Sequence, residues 1–327
     1  MIYDIRHVTT YSYESPVGFA RCSLRLEPRS ADGQRLVSHS VDIRPRPADR
    51  TVRHDFFGTH TESVLIEAPH RTLRIDSRSR VTVCRHAPGR AAQSPAWENV
   101  RDLAFEAKTL GPASPIGYVF ASPLVPVQQP VTGYAAASFP PASGIVAGAV
   151  DLMHRIRSDF KYDPKATVIS TPLNEVFEKR HGVCQDFAHV MIAGLRGLGL
   201  PAAYVSGYLR TIPPPGKPRL QGADATHAWV SLWCGEEIGW VGLDPTNDLL
   251  VENDHIVLAV GRDFSDVSHR VPGDDMGFEF DVTLLGHFAR ALQDLVKPPR
   301  GRPRLLANLF DEIRHVVDLF HRNHVKI

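Results

Sequence analysis

The sequence predicts an α+β protein in which an antiparallel β domain is followed by a mixed α+β domain and then by a C-terminal amphipathic helix. Three patterns indicate this class. Apolar and polar residues alternate through the first ninety or so residues, a strong helical pattern precedes three β-rich runs in the second half, and apolar residues recur at helical spacing near the C-terminus.

The N-terminal domain, 1–90, is predicted from alternation with a period of two residues. Cys22 and Leu24 point one way and the residues between and around them point the other way, as in a half-buried strand. Two further runs, which start at Val37 and Leu73, repeat the pattern, and turn-forming residues separate the runs. These features are typical of an antiparallel β domain.

A helix and a connector are predicted after this domain, over 91–144. Apolar residues at helical spacing predict the helix over 97–110. The following stretch, roughly 111–144, is rich in Pro, Ser and Gly, which favour turns and loops. We therefore expect this stretch to be a connector.

The second domain, 145–285, is predicted to combine helices with a sheet. Helical patterns cover 145–160 and, most clearly, 184–198, and the second of these ends in a Gly- and Pro-containing turn. Three β-rich runs separated by loops follow it: AAYVSGYL, THAWVSLW and GWVGLDP. The expected arrangement is a helix packed on a sheet.

The last segment, 286–327, is predicted to be a basic, Pro-containing connector and an amphipathic helix. Apolar residues recur at helical spacing from Leu305 to Phe320. We expect this helix to dock on its own molecule or to cover a partner subunit, which makes it a candidate surface for homo-oligomer formation.

Composition excludes several functional classes. Apolar residues form 43% of the 327 residues and charged residues 22%, as in ordinary globular proteins. A formal net charge of +1 provides no field that attracts nucleic acid or an anionic membrane. The N-terminus lacks the order of a signal peptide, and no run of about 18 apolar residues occurs, so we expect a cytoplasmic protein with no membrane partner.

Cysteine usage and motifs give no sign of a disulfide framework or a cofactor. Four cysteines are scattered along the chain without repeated CxxC spacing, and reduced thiols are expected: Cys22, Cys84, Cys184 and Cys234. The spacing of His181, Cys184 and His189 matches no usual zinc pattern, so no metal is expected. No dinucleotide fingerprint, phosphate loop or calcium loop is present, so no cofactor is expected.

Cys184 is the candidate nucleophile. It stands at the start of the strongest predicted helix, in the sequence HGVCQD. Unpaired backbone donors at a helix N-terminus favour negative charge, and the thiolate is the reactive form of cysteine. The other three cysteines lack this position, so we assign them no chemistry.

His227 and Asp244 are the candidate partners of this thiol. A thiol nucleophile needs a base that accepts and returns its proton, and His227 lies at the head of a predicted strand. The base in turn needs an acceptor that fixes its tautomer, and Asp244 begins the turn that ends the next strand. If the two strands pair, the two side chains meet.

The segments HGVCQDFAH, GADATHAW and GWVGLDPTN, in this order, resemble the Cys, His and Asp motifs of the transglutaminase-like superfamily, whose catalytic fold is papain-like. The runs YDIRHVTTYSYESPV and HDFFGTHTESVLIEAP resemble the N-terminal β domain of its bacterial two-domain members. Together the similarity extends from residue 1 to about residue 283. Each motif alone is short, but three in the family's order are specific.

The resemblance implies a catalytic triad of Cys184, His227 and Asp244 that acts on a carboxamide or peptide bond. The implied intermediate is a thioester on Cys184, which is released to water, as in a protease or amidase, or to an amine, as in a transglutaminase. Hydrolysis is the favoured alternative, since water is the default acceptor. The implied partner is a peptide or protein substrate that carries an amide.

Five further residues are candidates for supporting roles around this triad. Tyr162 is a candidate second oxyanion donor beside the backbone N–H of the nucleophile, or a packing residue. Gln185 and Asp186 are candidate oxyanion or supporting residues. Trp229 and the loop residue Pro215 are candidates for the substrate cleft, although core filling is the more common role of a tryptophan.

A non-catalytic function is the alternative. In that case the N-terminal β domain and the terminal helix bind a protein, and the papain-like domain is vestigial. The presence of both the candidate nucleophile and the candidate base argues against this alternative, because degenerate copies usually lose one of them.

Overall fold

The computed structural model describes residues 1–31, 33–85, 94–210 and 226–268. Its N-terminal part consists of six strands: β1 (Ile2–Val17), β2 (Ala20–Leu24), β3 (Gln34–Arg44), β4 (Asp49–His54), β5 (His60–Ile66) and β6 (His70–Val83). They form two three-stranded antiparallel sheets with the orders β1-β6-β3 and β2-β5-β4. The predicted antiparallel β region is therefore confirmed.

The alternating residues of the N-terminal part form a core of their own. Cys22, Leu24, Val64, Leu73 and Ile75 are buried in one cluster with inward residues of the neighbouring strands. Because side chains alternate between the two faces of a strand, the residues between them face outward. This part of the chain therefore has its own hydrophobic core.

The rest of the described chain contains six α-helices, one short 3-10 helix (Pro115–Tyr118) and a second large sheet. The helices are α1 (Trp97–Phe105), α2 (Gln129–Ala136), α3 (Ile145–Asp159), α4 (Leu173–Lys179), α5 (Cys184–Gly197) and α6 (Phe264–Val267). The strands are β7 (Lys161–Tyr162), β8 (His181–Gly182), β9 (Ala202–Leu209), β10 (Thr226–Trp233), β11 (Trp240–Asp244), β12 (Leu249–Leu250) and β13 (His255–Gly261). The last five strands form an antiparallel sheet of order β12-β11-β10-β9-β13.

Helix α5 is the centre of this α+β unit. Its residues from Asp186 to Arg196 are all buried, and the helix packs against β9 and β10 on one side and against α2 and α4 on others. A helix that is buried all round is expected at the centre of a core. The predicted arrangement of a helix on a sheet is confirmed, and it fixes the first residue of α5, Cys184, above the sheet.

The expected connector over 111–144 is wrong in one respect, because it contributes to the core. Helix α2 lies within it, and Val131 and Ala135 of this helix are buried against α5. A Cβ on Gly194 of α5 would lie 2.7 Å from Ala135 Cβ, so the absence of a side chain allows the two helices to approach closely. The sequence pattern did not predict this short helix, because it contains Pro130 and Gly133, which are typical of turns.

The first helix is shorter than the predicted span 97–110, since α1 ends at Phe105. Leu110 is exposed, so extending the helix to it would bury little apolar surface. The predicted C-terminal helix and its basic connector lie outside the described residues. Within the described ranges, no helix is long and apolar enough to cross a membrane.

The two parts of the chain share a third hydrophobic cluster. Val81 and Val83 of β6 are buried together with Tyr208, Ile256 and Leu258 of the large sheet. Hydrogen bonds from Gln34 and Arg85 to β13 also cross the junction. The N-terminal sheet is therefore packed directly against the edge of the sheet that carries the predicted base.

Candidate active site

Strands β10 and β11 bring His227 and Asp244 together. The strands pair antiparallel with Val230 opposite Leu243, which places His227 close to the turn that follows Asp244. His227 Nε2 donates a hydrogen bond of 2.8 Å to Asp244 Oδ2. The carboxylate thus fixes the tautomer and orientation of the imidazole, as the sequence predicted it would.

Cys184 is presented by the start of α5. The short parallel pair of β7 and β8 leads into the helix, and Cys184 is its first residue, partly buried against the core. N–H groups in the first turn of a helix have no acceptor within the helix, and their dipoles favour negative charge. The position therefore suits both a thiolate and a developing oxyanion.

The thiol of Cys184 lies close enough to His227 to influence the pKa of its imidazole. Burial lowers the pKa of His227, but hydrogen bonds with Asp244 and Cys184, together with their charges, outweigh burial and raise the pKa to about 9. Since Nε2 faces Asp244, Nδ1 is the nitrogen left for the thiol. A protonated imidazole beside the Cys184 thiol is the arrangement that this raised pKa supports.

Asp244 is a buried carboxylate supplied with five hydrogen bonds. Oδ1 accepts from the backbone N–H groups of Thr246 (3.0 Å) and Asn247 (3.2 Å). Oδ2 accepts from His227 and from the side chains of Asn247 (2.8 Å) and His255 (3.3 Å). Burial raises the pKa of Asp244, but these hydrogen bonds outweigh it and hold the pKa well below its usual range.

Asp186 accepts hydrogen bonds that stabilise the start of α5. Its Oδ2 accepts from Val183 N (2.8 Å) and from Thr167 Oγ1 (2.6 Å), so it ties two backbone segments to the first turn of α5. Burial raises the pKa of this carboxyl and the two hydrogen bonds oppose the rise. As an acceptor, Asp186 suits the supporting role expected for it and not the donation of a proton to an oxyanion.

Tyr162 and Gln185 flank Cys184. Tyr162 of β7 is 52% exposed, and its pKa is raised by burial and then by the nearby Cys184, which places its hydroxyl within the electrostatic reach of the thiol. Gln185 turns its amide toward the carbonyl of Ile169, in a long hydrogen bond of 3.5 Å. Tyr162 is therefore the better placed of the two for contact with a substrate.

Trp229 is buried and does not line an open cleft, in contrast to the expectation that it borders the substrate. Its side chain is 1% exposed and lies edge-on to His255, with ring centroids 5.1 Å apart, and 6.1 Å from the ring of His227. Its ring packs against Gly207 of β9, the residue opposite His227, where an added Cβ would lie 2.6 Å from a Trp229 ring atom. Pro215, the other expected cleft residue, lies outside the described residues.

Sequence reasoning missed two residues of this cluster. Asn247 directly follows the DPT turn, so its place at the end of the segment GWVGLDPTN was a sequence signal that could have identified it. His255 gave no signal, because it is one of 16 histidines and opens an apolar strand without a motif around it. The remaining histidines considered for a metal are separated in the structure: His181 is exposed, and His189 is buried and accepts from Phe264 N at 3.2 Å.

Two family models match the chain. The bacterial transglutaminase-like N-terminal region matches residues 3–82, and the transglutaminase-like superfamily matches residues 135–245. The second match contains Cys184, His227 and Asp244. It also begins inside α2, in agreement with the packing of that helix against α5.

Relatives cover most of the chain. An uncharacterized protein of Mycobacterium tuberculosis is 44% identical over 273 residues, which is 81% of this chain and 85% of the relative. An uncharacterized protein of Mycobacterium leprae is 32% identical over 269 residues, 80% of this chain and 89% of the relative. A protein-glutamine gamma-glutamyltransferase of Pseudomonas aeruginosa is 33% identical over 101 residues, 28% of this chain and 15% of that protein.

A solved structure shares the fold. The crystal structure of a provisionally assigned cysteine protease from Cytophaga hutchinsonii superimposes with a TM-score of 0.64 and covers 84% of this chain and 89% of its own. The sequences are 18% identical, so this likeness concerns the fold alone.

Proposed function

This chain belongs to the transglutaminase-like superfamily, and we propose that it is a cysteine enzyme that breaks amide or peptide bonds through a thioester on Cys184. One observation carries the proposal. Cys184 stands at the N-terminus of a buried helix, beside a histidine whose pKa it helps to raise and which donates at 2.8 Å to a fully buried carboxylate.

The first half of the reaction follows from this arrangement. The Sγ of the Cys184 thiolate adds to the carbonyl carbon, and the backbone N–H of Cys184 stabilises the oxyanion that forms. Protonated His227 then gives its proton to the leaving nitrogen, the C–N bond breaks, and ammonia or an amine departs. The acyl group is left as a thioester on Cys184, with His227 neutral.

The second half reverses the roles of the same groups. Neutral His227 takes a proton from water or from an amine, whose oxygen or nitrogen adds to the thioester carbonyl. The C–S bond breaks and the thiolate and imidazolium are restored. We favour water as the acceptor, because the half-exposed Tyr162 leaves solvent access beside the thiol.

The substrate class we propose is a peptide or protein segment that carries a carboxamide. The partial similarity to a protein-glutamine gamma-glutamyltransferase supports a glutamine side chain as one amide to test, and an amine as the second acceptor to test. No metal or cofactor enters the steps above, since the thiol, the imidazole and the carboxylate supply the chemistry that they need.

The proposal is tested with a library of glutamine-containing peptides, with and without a fluorescent primary amine, analysed by mass spectrometry. We expect the parent to form cleaved or deamidated peptides, or amine adducts, and Cys184→Ala to form none. Cys84→Ala is the matched control, because Cys84 is an exposed cysteine outside the site. Absence of turnover by the parent across the library, or equal turnover by Cys184→Ala, contradicts the proposal.

A further inference from the structure

His255 is a buried histidine that touches the candidate triad without belonging to it. It opens β13, its side chain is 2% exposed, and its Nε2 donates to Asp244 Oδ2 at 3.3 Å. The same oxygen accepts from His227, so one carboxylate atom lies between two imidazoles whose ring centroids are 6.4 Å apart. His255 therefore acts on His227 through Asp244.

The environment of Asp244 gives this contact its importance. The carboxylate is fully buried, and a buried charge is stable only when hydrogen bonds replace its lost hydration. Of the side chains that donate to Oδ2, His255 reaches it from the side of β13, whereas Asn247 belongs to the same turn as Asp244 itself. Among the described residues, His227 and His255 are thus the two that tie the carboxylate to elements outside its own strand and turn.

The ring of His255 is held in one orientation. It meets the ring of Trp229 edge-on, with a centroid distance of 5.1 Å and an interplanar angle of 72°. Its Nδ1 is buried and finds no hydrogen-bond partner among the described residues, so the Nε2–H tautomer that donates to Asp244 is the one the site can hold. Among the described residues, the titratable groups beside this cluster include, in order along the chain, Arg85, Cys184, Asp244 and Asp254.

Residues of the N-terminal part of the chain form hydrogen bonds with β13, the strand that contains His255. Arg85 Nη1 donates to the carbonyl oxygens of His255 (2.6 Å) and Glu252 (2.8 Å). Gln34 forms a two-way bridge to Val257, with Nε2 donating to its carbonyl (2.9 Å) and Oε1 accepting from its N–H (2.8 Å). The backbone on both sides of the His255 side chain is therefore fixed by residues of the first ninety.

We propose that His255 is a positioning residue for the reaction proposed above, holding Asp244 against His227, and that the N-terminal β region contributes to catalysis by fastening β13 through Arg85. The inference rests on the proposed function, since it assigns a role relative to the Cys184–His227 pair. It gives the N-terminal region a function in the site, although none of its residues touches the thiol or the imidazole in the contacts described.

The test compares two alkylating reagents on the intact chain. Iodoacetate is an anion, so its reaction with the Cys184 thiolate is favoured while His227 is protonated beside it, whereas iodoacetamide is neutral. The ratio of the two rates falls as His227 loses its proton. We call the pH at half of this fall the alkaline midpoint, and it measures how strongly Asp244 supports the imidazolium.

Three variants separate the donated hydrogen bond from packing. His255→Phe keeps a ring beside Trp229 and removes the donor, and we expect it to lower the alkaline midpoint by about one pH unit. His255→Gln keeps a donor near the position of Nε2 and is expected to retain the parent midpoint. His70→Phe is the matched control, because His70 is also buried, also meets an aromatic ring edge-on, at 5.5 Å, and also has one nitrogen without a partner among the described residues.

The outcomes are distinct. An unchanged midpoint in His255→Phe overturns the inference, as does an equal fall in His255→Gln or in His70→Phe, since either would make the effect one of packing. Thermal unfolding of each variant verifies that it is folded at the temperature of the assay. If the parent itself shows no alkaline midpoint, the proposed function fails, and the result is distinguishable from a failure of His255.

The contribution of the N-terminal region is tested by Arg85→Met. This variant removes the hydrogen bonds to β13 and is expected to lower the midpoint in the same direction as His255→Phe. Arg80→Met is the control, since Arg80 is an arginine of the same region whose exposed ion pair with Asp4 (2.7 Å) lies away from β13. An Arg85→Met midpoint equal to that of the parent overturns the part assigned to the N-terminal region.

Discussion

At the scale of single residues, His227 is the group whose charge the site controls most closely. Its pKa of about 9 is the sum of burial, which favours the neutral ring, and of contacts with Asp244 and Cys184, which favour the charged ring. The raised pKa keeps the imidazolium present from acidic pH up to about pH 9. In the proposed reaction, the leaving group therefore meets a proton donor over the whole neutral range.

Asp244→Asn tests this balance directly. Removing the carboxylate charge leaves burial as the dominant effect, so the pKa of His227 falls and the imidazolium is lost at lower pH. We expect the alkaline midpoint to fall by about one to three pH units, measured by the two-reagent ratio described above. Asp248→Asn serves as the control, because Asp248 pairs with His154 and not with the triad. A midpoint that stays at the parent value would refute the role of Asp244.

Tyr162→Phe tests the second oxyanion donor. If the hydroxyl donates to the oxyanion, its loss lowers kcat by about tenfold to a hundredfold and leaves KM nearly unchanged, because the bond forms only in the transition state. The measurement is the steady-state kinetics of the best substrate from the peptide library. A rise in KM at constant kcat would instead identify Tyr162 as a wall of the substrate cleft.

At the scale of elements, the close approach of β9, β10 and β13 determines where the imidazoles lie. Gly207 of β9 lies opposite His227, and an added Cβ there would lie 2.0 Å from Ile256 O and 2.6 Å from a Trp229 ring atom. A backbone oxygen and a buried ring cannot move aside without shifting β13 or Trp229. Both carry contacts to His255.

Gly207→Ala is therefore expected to disturb the site through the sheet. We expect loss of about 1–3 kcal/mol of unfolding free energy and a slower reaction of Cys184 with iodoacetate at neutral pH. Chemical denaturation and the alkylation rate measure the two effects. Gly133→Ala is the control, since a Cβ at this helical glycine meets nothing within 4 Å. Parent-like stability and reactivity of Gly207→Ala would show that the sheet does not position the histidines in this way.

The elements that the sequence predicted share a property. Helix α5 and strands β9, β10 and β11 carry continuous apolar patterns, because one or more of their faces is buried along their whole length. Helix α2 was missed because it is only eight residues long and contains Pro130 and Gly133. His255 was missed because its role depends on the pairing of β13 with β9, which local patterns do not specify.

The candidate site was predictable to the extent that its chemistry is local. The positions of Cys184 at a helix start and of Asp244 at a strand end follow from the residues next to them in the sequence. The order of the three motifs then identified His227 as their partner. The burial of Trp229 beneath the imidazoles was not predictable, because it depends on Gly207 of the neighbouring strand, which lies opposite His227 and leaves room for the Trp229 ring.

At the scale of the whole molecule, the shared cluster joins the N-terminal sheet to the sheet of the candidate site. All four tryptophans, at positions 97, 229, 233 and 240, lie in the second part of the chain, so their fluorescence reports on that part alone. Far-UV circular dichroism reports on the strands of both. We expect the two signals to follow one denaturation curve, as in a cooperative two-state transition.

Val83→Ala sharpens this prediction. Val83 is fully buried in the shared cluster, and its truncation is expected to shift both curves together by about 1–2 kcal/mol of unfolding free energy. Val52→Ala, at an exposed position of the edge strand β4, should shift neither. If the denaturation curve followed by tryptophan fluorescence is unchanged in Val83→Ala, the two parts unfold independently.

The central claim, that Cys184 is an activated nucleophile, is tested most directly by the intact mass of the parent and of Cys184→Ser after iodoacetamide treatment across pH 4 to 9. The account predicts rapid addition of one label below pH 7 in the parent and none in Cys184→Ser. Because Cys84 is also exposed, slow labelling at about pH 8.5 is expected in both proteins. Absence of the rapid label below pH 7 in the parent, so that parent and Cys184→Ser label alike at every pH, would contradict the account and favour the protein-binding alternative.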